Sequence, residues 1–266
     1  MECIVCKSKL VEVFAVIDEK KYWKCKHCYA KFLDKSHYLD HKLEKKRYLE
    51  HNNKIDNVPY RNFLSKLFIP LEKKLSKNDY GLEFGCGHGP ALADIIKTHG
   101  YEVDLYDPIF FPNKKVLKNK YNFITCTETI EHFFDPYKEF ELLNSLLLQN
   151  SWLGIMTCFL TSESQFKDWY YRKDPTHVVF YAEETFKIIA QQRNWTCEIP
   201  SKDIVLFGPG GMFTFQIVDC GGCSVEGMIL DADQLDSEKK HTWDFNQETQ
   251  RLIMSYSGDF LRMSFK

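Results

Sequence analysis

The sequence lacks long hydrophobic runs. No apolar stretch in its 266 residues approaches the roughly 18 residues that a membrane-spanning helix needs, so we expect no transmembrane segment. The first ten residues, MECIVCKSKL, lack the apolar centre of a secretory signal. We therefore predict a cytoplasmic protein whose ten cysteines are reduced thiols or metal ligands rather than disulfides.

The sequence also has little net charge, but the charge is unevenly distributed. The formal net charge is −2, yet residues 1–80 carry 18 Lys and Arg against 11 Asp and Glu, and residues 81–266 carry 17 against 26. A basic segment on an acidic body is typical of contact with an anionic partner such as RNA. The basic run KLEKKRYLEH, residues 42–51, is equally well explained as the solvated face of a helix.

Four of the cysteines show the spacing of a metal site. They form two C-x-x-C pairs separated by 18 residues: Cys3 with Cys6, and Cys25 with Cys28. Two such pairs offer four thiolates to one tetrahedral Zn²⁺, so we predict a structural zinc ribbon over residues 1–35. A site closed by four cysteines leaves no position for catalysis, and we expect it to serve folding or docking.

Hydrophobic periodicity predicts the organisation of the next 170 or so residues. Two helices, at residues 36–50 and 59–75, lie in a helical linker or lid that spans residues 36–78. Strands and helices then alternate over a core at residues 79–208, which predicts an α/β fold with a doubly wound, mostly parallel sheet. The predicted strands are 80–84, 101–106, 122–126, 152–159, 196–200 and 203–207, and the predicted helices are 90–99, 136–149 and 183–193.

Residues 209–266 differ from the core in their pattern. After the turn GPGG, short apolar segments predict a β-rich extension, which could dimerise, contact a partner or cap the site. A third cysteine pair in this extension, Cys220 and Cys223, has no second pair nearby, so we interpret it as a β-turn that carries two thiols.

A glycine-rich loop, LEFGCGHG at residues 82–89, lies between a predicted strand and a predicted helix. Its glycines, Gly85, Gly87 and Gly89, permit a tight turn and a close approach of the backbone to a ligand. An acidic residue, Asp107, follows the next strand and is suited to bind ribose hydroxyls. The spacing differs from the dinucleotide fingerprint, because the third glycine comes one residue early.

The segment TETIEH contains two carboxylates and an imidazole directly after a predicted strand. Glu128, Glu131 and His132 have the spacing i, i+3, i+4, which would place them on one face of a helix. Three interpretations stay open: a metal site, a metal-free acid–base site, and ordinary residues at the start of a helix.

Together, the segments GLEFGCGHG, VDLYDP, NFITCTETIEHF and WLGIMT resemble the strand motifs of class I S-adenosylmethionine-dependent methyltransferases, over residues 59–208. The resemblance implies that S-adenosylmethionine lies over the strand ends, with Glu83 and the glycines at its methionine part and Asp107 at its ribose. Only 15 residues separate DLY from NFI, so the third strand of the family is predicted to be missing.

The E-x-x-E-H pattern is similar to that of the ubiquinone-pathway O-methyltransferases and of the methyltransferases that modify the 3′-terminal ribose of small RNAs. That resemblance implies a divalent cation, Mg²⁺, Mn²⁺ or Zn²⁺, at Glu128, Glu131 and His132, completed by a downstream histidine. His177, in the segment DPTH, is the candidate. A cysteine ribbon before the core also resembles zinc-ribbon methyltransferases that act on rRNA or on sugars.

We therefore predict a methyltransferase that modifies an oxygen of a small molecule or a ribose. The alternatives are an RNA methyltransferase guided by the ribbon and the basic helix, and a sugar C-methyltransferase. A base-methylating D/N-P-P-Y motif is absent from the sequence. A non-enzymatic alternative is an adaptor with a decayed core, which the intact glycines and Asp107 argue against.

Overall fold

The structure is a computed structural model that describes residues 1–50, 54–210, 212–216, 226–230, 241–244, 251–257 and 260–265. The chain divides into two units, Met1–Pro209 and Gly210–Lys266. Among the residues described, none of the helices combines the length and the apolar character that crossing a bilayer demands.

The first unit combines strands with helices, which alternate from β4 to β9. Its strands are β1 (Val11–Ile17), β2 (Lys20–Cys25), β3 (Lys31–Leu33), β4 (Tyr80–Phe84), β5 (Glu102–Tyr106), β6 (Tyr121–Thr127), β7 (Leu147–Met156), β8 (Val179–Phe180), β9 (Trp195–Ser201) and β10 (Ile204–Pro209). Its α-helices are α1 (His41–Leu49), α2 (Val58–Glu72), α3 (Ala91–Thr98), α4 (Pro136–Leu146) and α5 (Glu183–Arg193).

The central sheet has six strands in the order β5-β4-β6-β7-β10-β9. Strands β5, β4, β6 and β7 are parallel, and β10 is antiparallel to both β7 and β9. This confirms the α/β prediction and the closing strand pair. It also confirms that the third strand is missing, because the chain between β5 and β6 contains only an isolated bridge from Asp107 to Phe111 and a 3₁₀ turn, Val116–Lys118.

Both faces of the sheet are buried, which explains why its strands are apolar at successive positions. On β6, Phe123 packs with helices α2 and α3 on one face, whereas Ile124 packs with α4 and α5 on the other. The same alternation occurs on β10, where Leu206 and Phe207 belong to opposite faces. The sheet is therefore doubly wound, and its strand ends are left open for a ligand.

The cysteine module, which we define as residues 1–33, is built into the same unit. Its three strands form a sheet in the order β1-β2-β3-β8, so the fourth strand comes from the chain that follows the central strand β7. Its buried residues belong to the same hydrophobic cluster as α4 and α5. The module thus packs onto one face of the core.

Several predicted helix boundaries are wrong by a few residues. Helix α1 begins at His41 rather than at residue 36, because the side chain of Asp40 accepts hydrogen bonds from the backbone of Lys42 and Leu43. Helix α4 ends at Leu146, three residues earlier than predicted, because the extended backbone of Leu147 begins β7.

The second unit contains short antiparallel strands. They are β11 (Met212–Gln216) paired with β12 (Glu226–Leu230), and β13 (His241–Asp244), β14 (Arg251–Ser257) and β15 (Phe260–Phe265) in one sheet. Strand formation here agrees with the β-rich pattern of the sequence. The predicted turn at Cys220 and Cys223 lies outside the described residues.

Candidate active site

A large cleft of about 1270 Å³ opens at the carboxyl ends of β4, β5 and β6. Its cofactor half is lined by residues 83–88 and 106–110, which follow β4 and β5. Its acceptor half is lined by residues 128, 129 and 131–135, by residues 170, 171, 173, 174 and 177, and by helix α1. We use these two names throughout.

The glycine loop turns sharply at two of its three glycines. Gly85 and Gly87 have φ values of +79° and +62°, a region that favours glycine, whereas Gly89 does not have a positive φ. A Cβ built on Gly85 would lie 2.2 Å from the side chain of Thr129, so the loop also needs the absence of a side chain there. Gly87 has open space around it, which leaves its backbone accessible to a ligand.

The carboxylate of Asp107 organises the cofactor half. Its Oδ2 accepts a hydrogen bond from the Gly87 backbone at 3.1 Å, and its Oδ1 accepts from the backbones of Ile109 and Phe110 at 2.8 Å each. Asp107 therefore ties the loop after β5 to the glycine loop, at the position from which the sequence predicts a ribose contact.

Glu83 lies beneath the glycine loop and is almost fully buried. Its Oε2 accepts a hydrogen bond from the backbone of Ala93 in the first turn of α3, at 2.8 Å. Burial raises the pKa of Glu83 to about 8, since a charged carboxylate is poorly solvated there. Glu83 thus joins the end of β4 to α3 and borders the cleft.

Residues 128–132 do not form the α-helix that the i, i+3, i+4 spacing predicted. Glu128 has a positive φ of 48°, and its backbone N–H donates to Met156 at 2.8 Å, which extends the contact between the β6 and β7 segments. Only Ile130–His132 form a single 3₁₀ turn. Sheet hydrogen bonding therefore outweighs the helical spacing at this point.

Three of the four predicted acceptor-side residues nevertheless converge. Glu131, His132 and His177 each offer one atom that could bind a metal ion, and these three atoms all lie within 4.8 Å of one another. The two imidazole rings meet edge to face with centroids 4.8 Å apart, and His132 Nε2 lies 3.9 Å from Glu131 Oε1. Glu128 lines the same cleft but lies outside this group.

Both imidazoles are oriented by backbone carbonyls. His132 Nδ1 donates to the carbonyl of Thr176 at 3.0 Å, and His177 Nδ1 donates to the carbonyl of Tyr171 at 2.7 Å. A carbonyl can only accept, so each neutral ring carries its proton on Nδ1 and keeps the lone pair of Nε2 available. Burial, with the neighbouring His132, lowers the pKa of His177 to about 4.

Glu131 is held at one carboxylate oxygen and unpaired at the other. Its side chain is fully buried, and Oε2 accepts a hydrogen bond from the Thr157 hydroxyl at 3.0 Å. Thr157 is in turn 2.8 Å from the hydroxyl of Tyr171. Oε1 has no hydrogen-bond partner, although such buried oxygens normally have one. An unpaired buried oxygen beside two free imidazole nitrogens fits a cation site.

Glu128 occupies a different environment from Glu131. Burial, together with the charge of Glu131, raises the pKa of Glu128 to about 9. Its positive φ is uncommon for a residue with a long side chain, and such backbone strain is concentrated at functional sites. Glu128 is therefore a candidate for contact with substrate or cofactor rather than a member of the cluster.

The four sulfur atoms of the cysteine module also converge. All four side chains are buried, and their sulfurs lie within 4.8 Å of one another. Cys3 Sγ is 3.6 Å from Cys28 Sγ, and Cys6 Sγ is 3.7 Å from Cys25 Sγ. Zinc–sulfur bonds of about 2.3 Å in a tetrahedron place sulfurs about 3.8 Å apart, so the four thiols fit Zn²⁺.

Sequence reasoning missed the residues that support the acceptor half. Thr157 lies 26 positions from Glu131, and nothing in its local pattern marks it. Arg47 on α1 binds Asp174 through two nitrogens at 3.1 and 2.8 Å, which joins the basic helix to the segment that carries His177. The charge pattern of α1 revealed its basic character but not this partner.

Solved structures to which this chain is similar include the YcgJ protein of Bacillus subtilis, with 12% identity, a TM-score of 0.39 and coverage of 57% of this chain and 74% of that one. An O-methyltransferase family protein from Burkholderia thailandensis has 10% identity, a TM-score of 0.43 and 62% coverage of each chain. A phosphoethanolamine N-methyltransferase of Haemonchus contortus has 15% identity, a TM-score of 0.39 and coverage of 52% and 38%.

Among curated proteins, no sequence matches this chain significantly. A family model described as a methyltransferase domain matches residues 33–198, from the end of the cysteine module into strand β9 of the central sheet. These residues include the glycine loop, Asp107 and all three residues of the converging cluster. The chain therefore belongs to the methyltransferase domain family and is an S-adenosylmethionine-dependent enzyme of the class I fold.

Proposed function

We propose that this enzyme methylates an oxygen of an acceptor that carries two neighbouring oxygens, such as a catechol or a ribose. The observation that carries the proposal is the convergence of Glu131, His132 and His177. One carboxylate and two imidazoles leave coordination positions open, as a site needs if it is to receive a substrate.

S-adenosylmethionine and a divalent cation would supply complementary chemistry. S-adenosylmethionine carries the methyl group on a sulfonium, and a divalent cation at Glu131, His132 and His177 would lower the pKa of an acceptor hydroxyl. The glycine loop and Asp107 would hold the cofactor, and the cluster would hold the cation.

The remaining residues of the acceptor half hold and cover the cluster. Tyr48 on α1 packs edge to face against His132, with ring centroids 5.2 Å apart, and its hydroxyl donates to the buried Glu44 at 2.8 Å. Helix α1 therefore forms one wall of the cleft and shields the cluster from water. Such positioning and exclusion of solvent are the main tasks of an enzyme in an in-line displacement.

We further propose that the cysteine module holds one structural Zn²⁺. Its four buried sulfurs have the separations that a tetrahedral ion requires. Two backbone N–H groups point at sulfurs, from Val5 to Cys3 at 3.4 Å and from Cys28 to Cys25 at 3.5 Å, and these bonds favour thiolates.

The test of the acceptor proposal combines binding with turnover. Titration with Mn²⁺, followed by electron paramagnetic resonance, should reveal a site that His177→Ala weakens and that His88→Ala, an imidazole of the cofactor half, leaves unchanged. Turnover should be detected with a catechol or a ribose diol and should be much lower with the monohydroxy analogue. Chelation of the divalent cation should stop turnover, whereas S-adenosylhomocysteine should still bind. Turnover that survives complete removal of divalent metal would overturn the metal-assisted mechanism.

A further inference from the structure

The cysteine module is connected to the acceptor half through the backbone. Leu33 on β3 donates to the carbonyl of Val178 at 2.8 Å, and Val178 donates to the carbonyl of Glu131 at 2.9 Å. The same strand β3 pairs with β8, which begins two residues after His177. Val178, the neighbour of His177, is thus hydrogen-bonded both to the cysteine module and to the backbone of Glu131.

A buried arginine makes a second connection. Arg172 is only 6% exposed, and its Nη1 donates to the hydroxyl of Tyr22 on β2 at 3.2 Å. Its Nη2 donates to Asp18 at 3.2 Å, and Nε and Nη2 both donate to the carbonyl of Lys167. Asp18 and Glu19 have positive φ values of 51° and 63°, as expected for the tight turn of the β1–β2 hairpin. Arg172 therefore fastens residues 170–173 to that hairpin.

The residue next to Arg172 contacts the cluster from two sides. The carbonyl of Tyr171 accepts from His177 Nδ1, which orients that ring, and the two rings also pack with centroids 4.1 Å apart. The hydroxyl of Tyr171 lies 2.8 Å from Thr157, which donates to Glu131. A rotation of the backbone at Tyr171 would therefore disturb both cluster residues at once.

We propose that Arg172 is a positioning residue through which the hairpin of the cysteine module sets the orientation of His177 and Glu131. The planar guanidinium suits this task, because its fixed fork of donors engages the hydroxyl of Tyr22, the carboxylate of Asp18 and the carbonyl of Lys167 together. This inference rests on the proposed cation site, and it assigns the module a task in the acceptor half beyond binding its own ion.

The experiment compares Arg172→Gln and Tyr22→Phe with Arg193→Gln in the full, zinc-loaded chain. Arg193 is a matched control, because it is also a buried arginine but contacts Ile189, Tyr137 and Glu141, away from the cluster. We expect Arg172→Gln to weaken Mn²⁺ binding by about 10–100-fold, as loss of support for a ligand does elsewhere. Tyr22→Phe should have a smaller effect in the same direction, and Arg172→Lys should restore part of the affinity. Zinc content and the affinity for S-adenosylhomocysteine should stay unchanged in all of them.

A second readout does not require the cation. Long-range ¹H–¹⁵N spectra report which nitrogen of His177 carries the proton, and the wild type should show the Nδ1-protonated form. Arg172→Gln should lower the population of that form, and Arg193→Gln should not. Equal Mn²⁺ affinities and equal His177 spectra in the Arg172 and Arg193 variants would overturn the inference.

The two proposals fail in different ways. If His177→Ala leaves Mn²⁺ binding of the wild type unchanged, the cation site is rejected and the ¹⁵N spectra alone decide the role of Arg172. If the Arg172 variants do not fold, Tyr22→Phe, which removes a single hydroxyl, decides it by the same two readouts.

Discussion

The two halves of the cleft are built in different ways. The cofactor half comes from two neighbouring stretches of chain, the glycine loop at residues 85–89 and Asp107 at the end of the next strand. The acceptor half combines helix α1, the 3₁₀ turn at residues 130–132, Thr157 and residues 170–177. The first depends on backbone conformation, and the second depends on side chains that are far apart in sequence.

This difference suggests which substitutions should separate the halves. A change in backbone freedom at the glycine loop should weaken cofactor binding without disturbing the cluster. A change in the hydrogen-bond network around Glu131 should impair the acceptor half and leave the cofactor bound, because the hydrogen bonds of Glu131 and those of Asp107 involve different residues. The halves touch where Thr129 meets Gly85 and where Phe133 packs against Phe84.

The largest separation is expected from Glu131→Ala. Removal of the unpaired Oε1 should lower turnover by at least about 100-fold, since one of three cation ligands is lost. Calorimetric titration should show an S-adenosylhomocysteine affinity close to that of the wild type. Glu139→Gln, another carboxylate that lines the cleft, is the control and should retain turnover. Equal losses in both variants would argue against a special role for Glu131.

Gly87→Val should produce the converse result. Valine strongly disfavours the positive φ of 62°, and its side chain would block the approach of a ligand to the backbone. We expect the affinity for S-adenosylhomocysteine to fall by about 10–100-fold, while Mn²⁺ binding persists. Gly100→Val carries the same backbone strain, at a φ of 89° and outside the cleft, and should lower the melting temperature only. If the Gly100 variant also lost cofactor affinity, the loss in Gly87→Val would be explained by general destabilisation of the fold rather than by a local effect at the glycine loop.

Cys25→Ser tests whether the cysteine module supports the acceptor half more than the cofactor half. Elemental analysis should show that about one Zn²⁺ per chain is lost, because serine is a poor zinc ligand. Since the module supports the segments around Glu131 and His177, Mn²⁺ affinity should fall about tenfold, and the cofactor affinity should change much less. Cys197→Ser, outside the module, should keep its zinc. Freshly purified wild type without zinc would contradict the prediction.

The last prediction concerns the stability of the fold rather than the affinity for a ligand, and it is made at Glu83, within the cofactor half. The folded carboxyl has a pKa of about 8, whereas in the unfolded chain it ionises near 4.5, so the folded state holds a proton that the unfolded state releases between these values. Stability therefore falls as pH rises through this window, by at most about 1.4 kcal/mol per pH unit. In urea unfolding from pH 5 to pH 8, Glu83→Gln should gain stability relative to wild type as pH rises. The exposed variant Glu102→Gln is the control. If the free energy of unfolding changed with pH in the same way in the wild type, Glu83→Gln and Glu102→Gln, the prediction for Glu83 would be wrong.

The fold was predictable wherever the information is local. A short strand-like segment and a helical pattern placed β4 and α5 at their observed bounds, and the short interval after β5 predicted the missing strand. The boundaries of α1 and α4 were less predictable, because a cap at Asp40 and an early start of β7 compete with propensity.

The sequence by itself determined the class of the fold, the glycine turn before α3 and the cysteine pairs, because each depends on residues close together in the chain. Only the tertiary structure decided that Glu131 joins His132 and His177 while Glu128 stands apart. It also decided that Arg172 connects the cysteine module to Tyr171. These contacts depend on how β7 and the following loop pack against the module, and such long-range packing leaves no periodic pattern in the sequence.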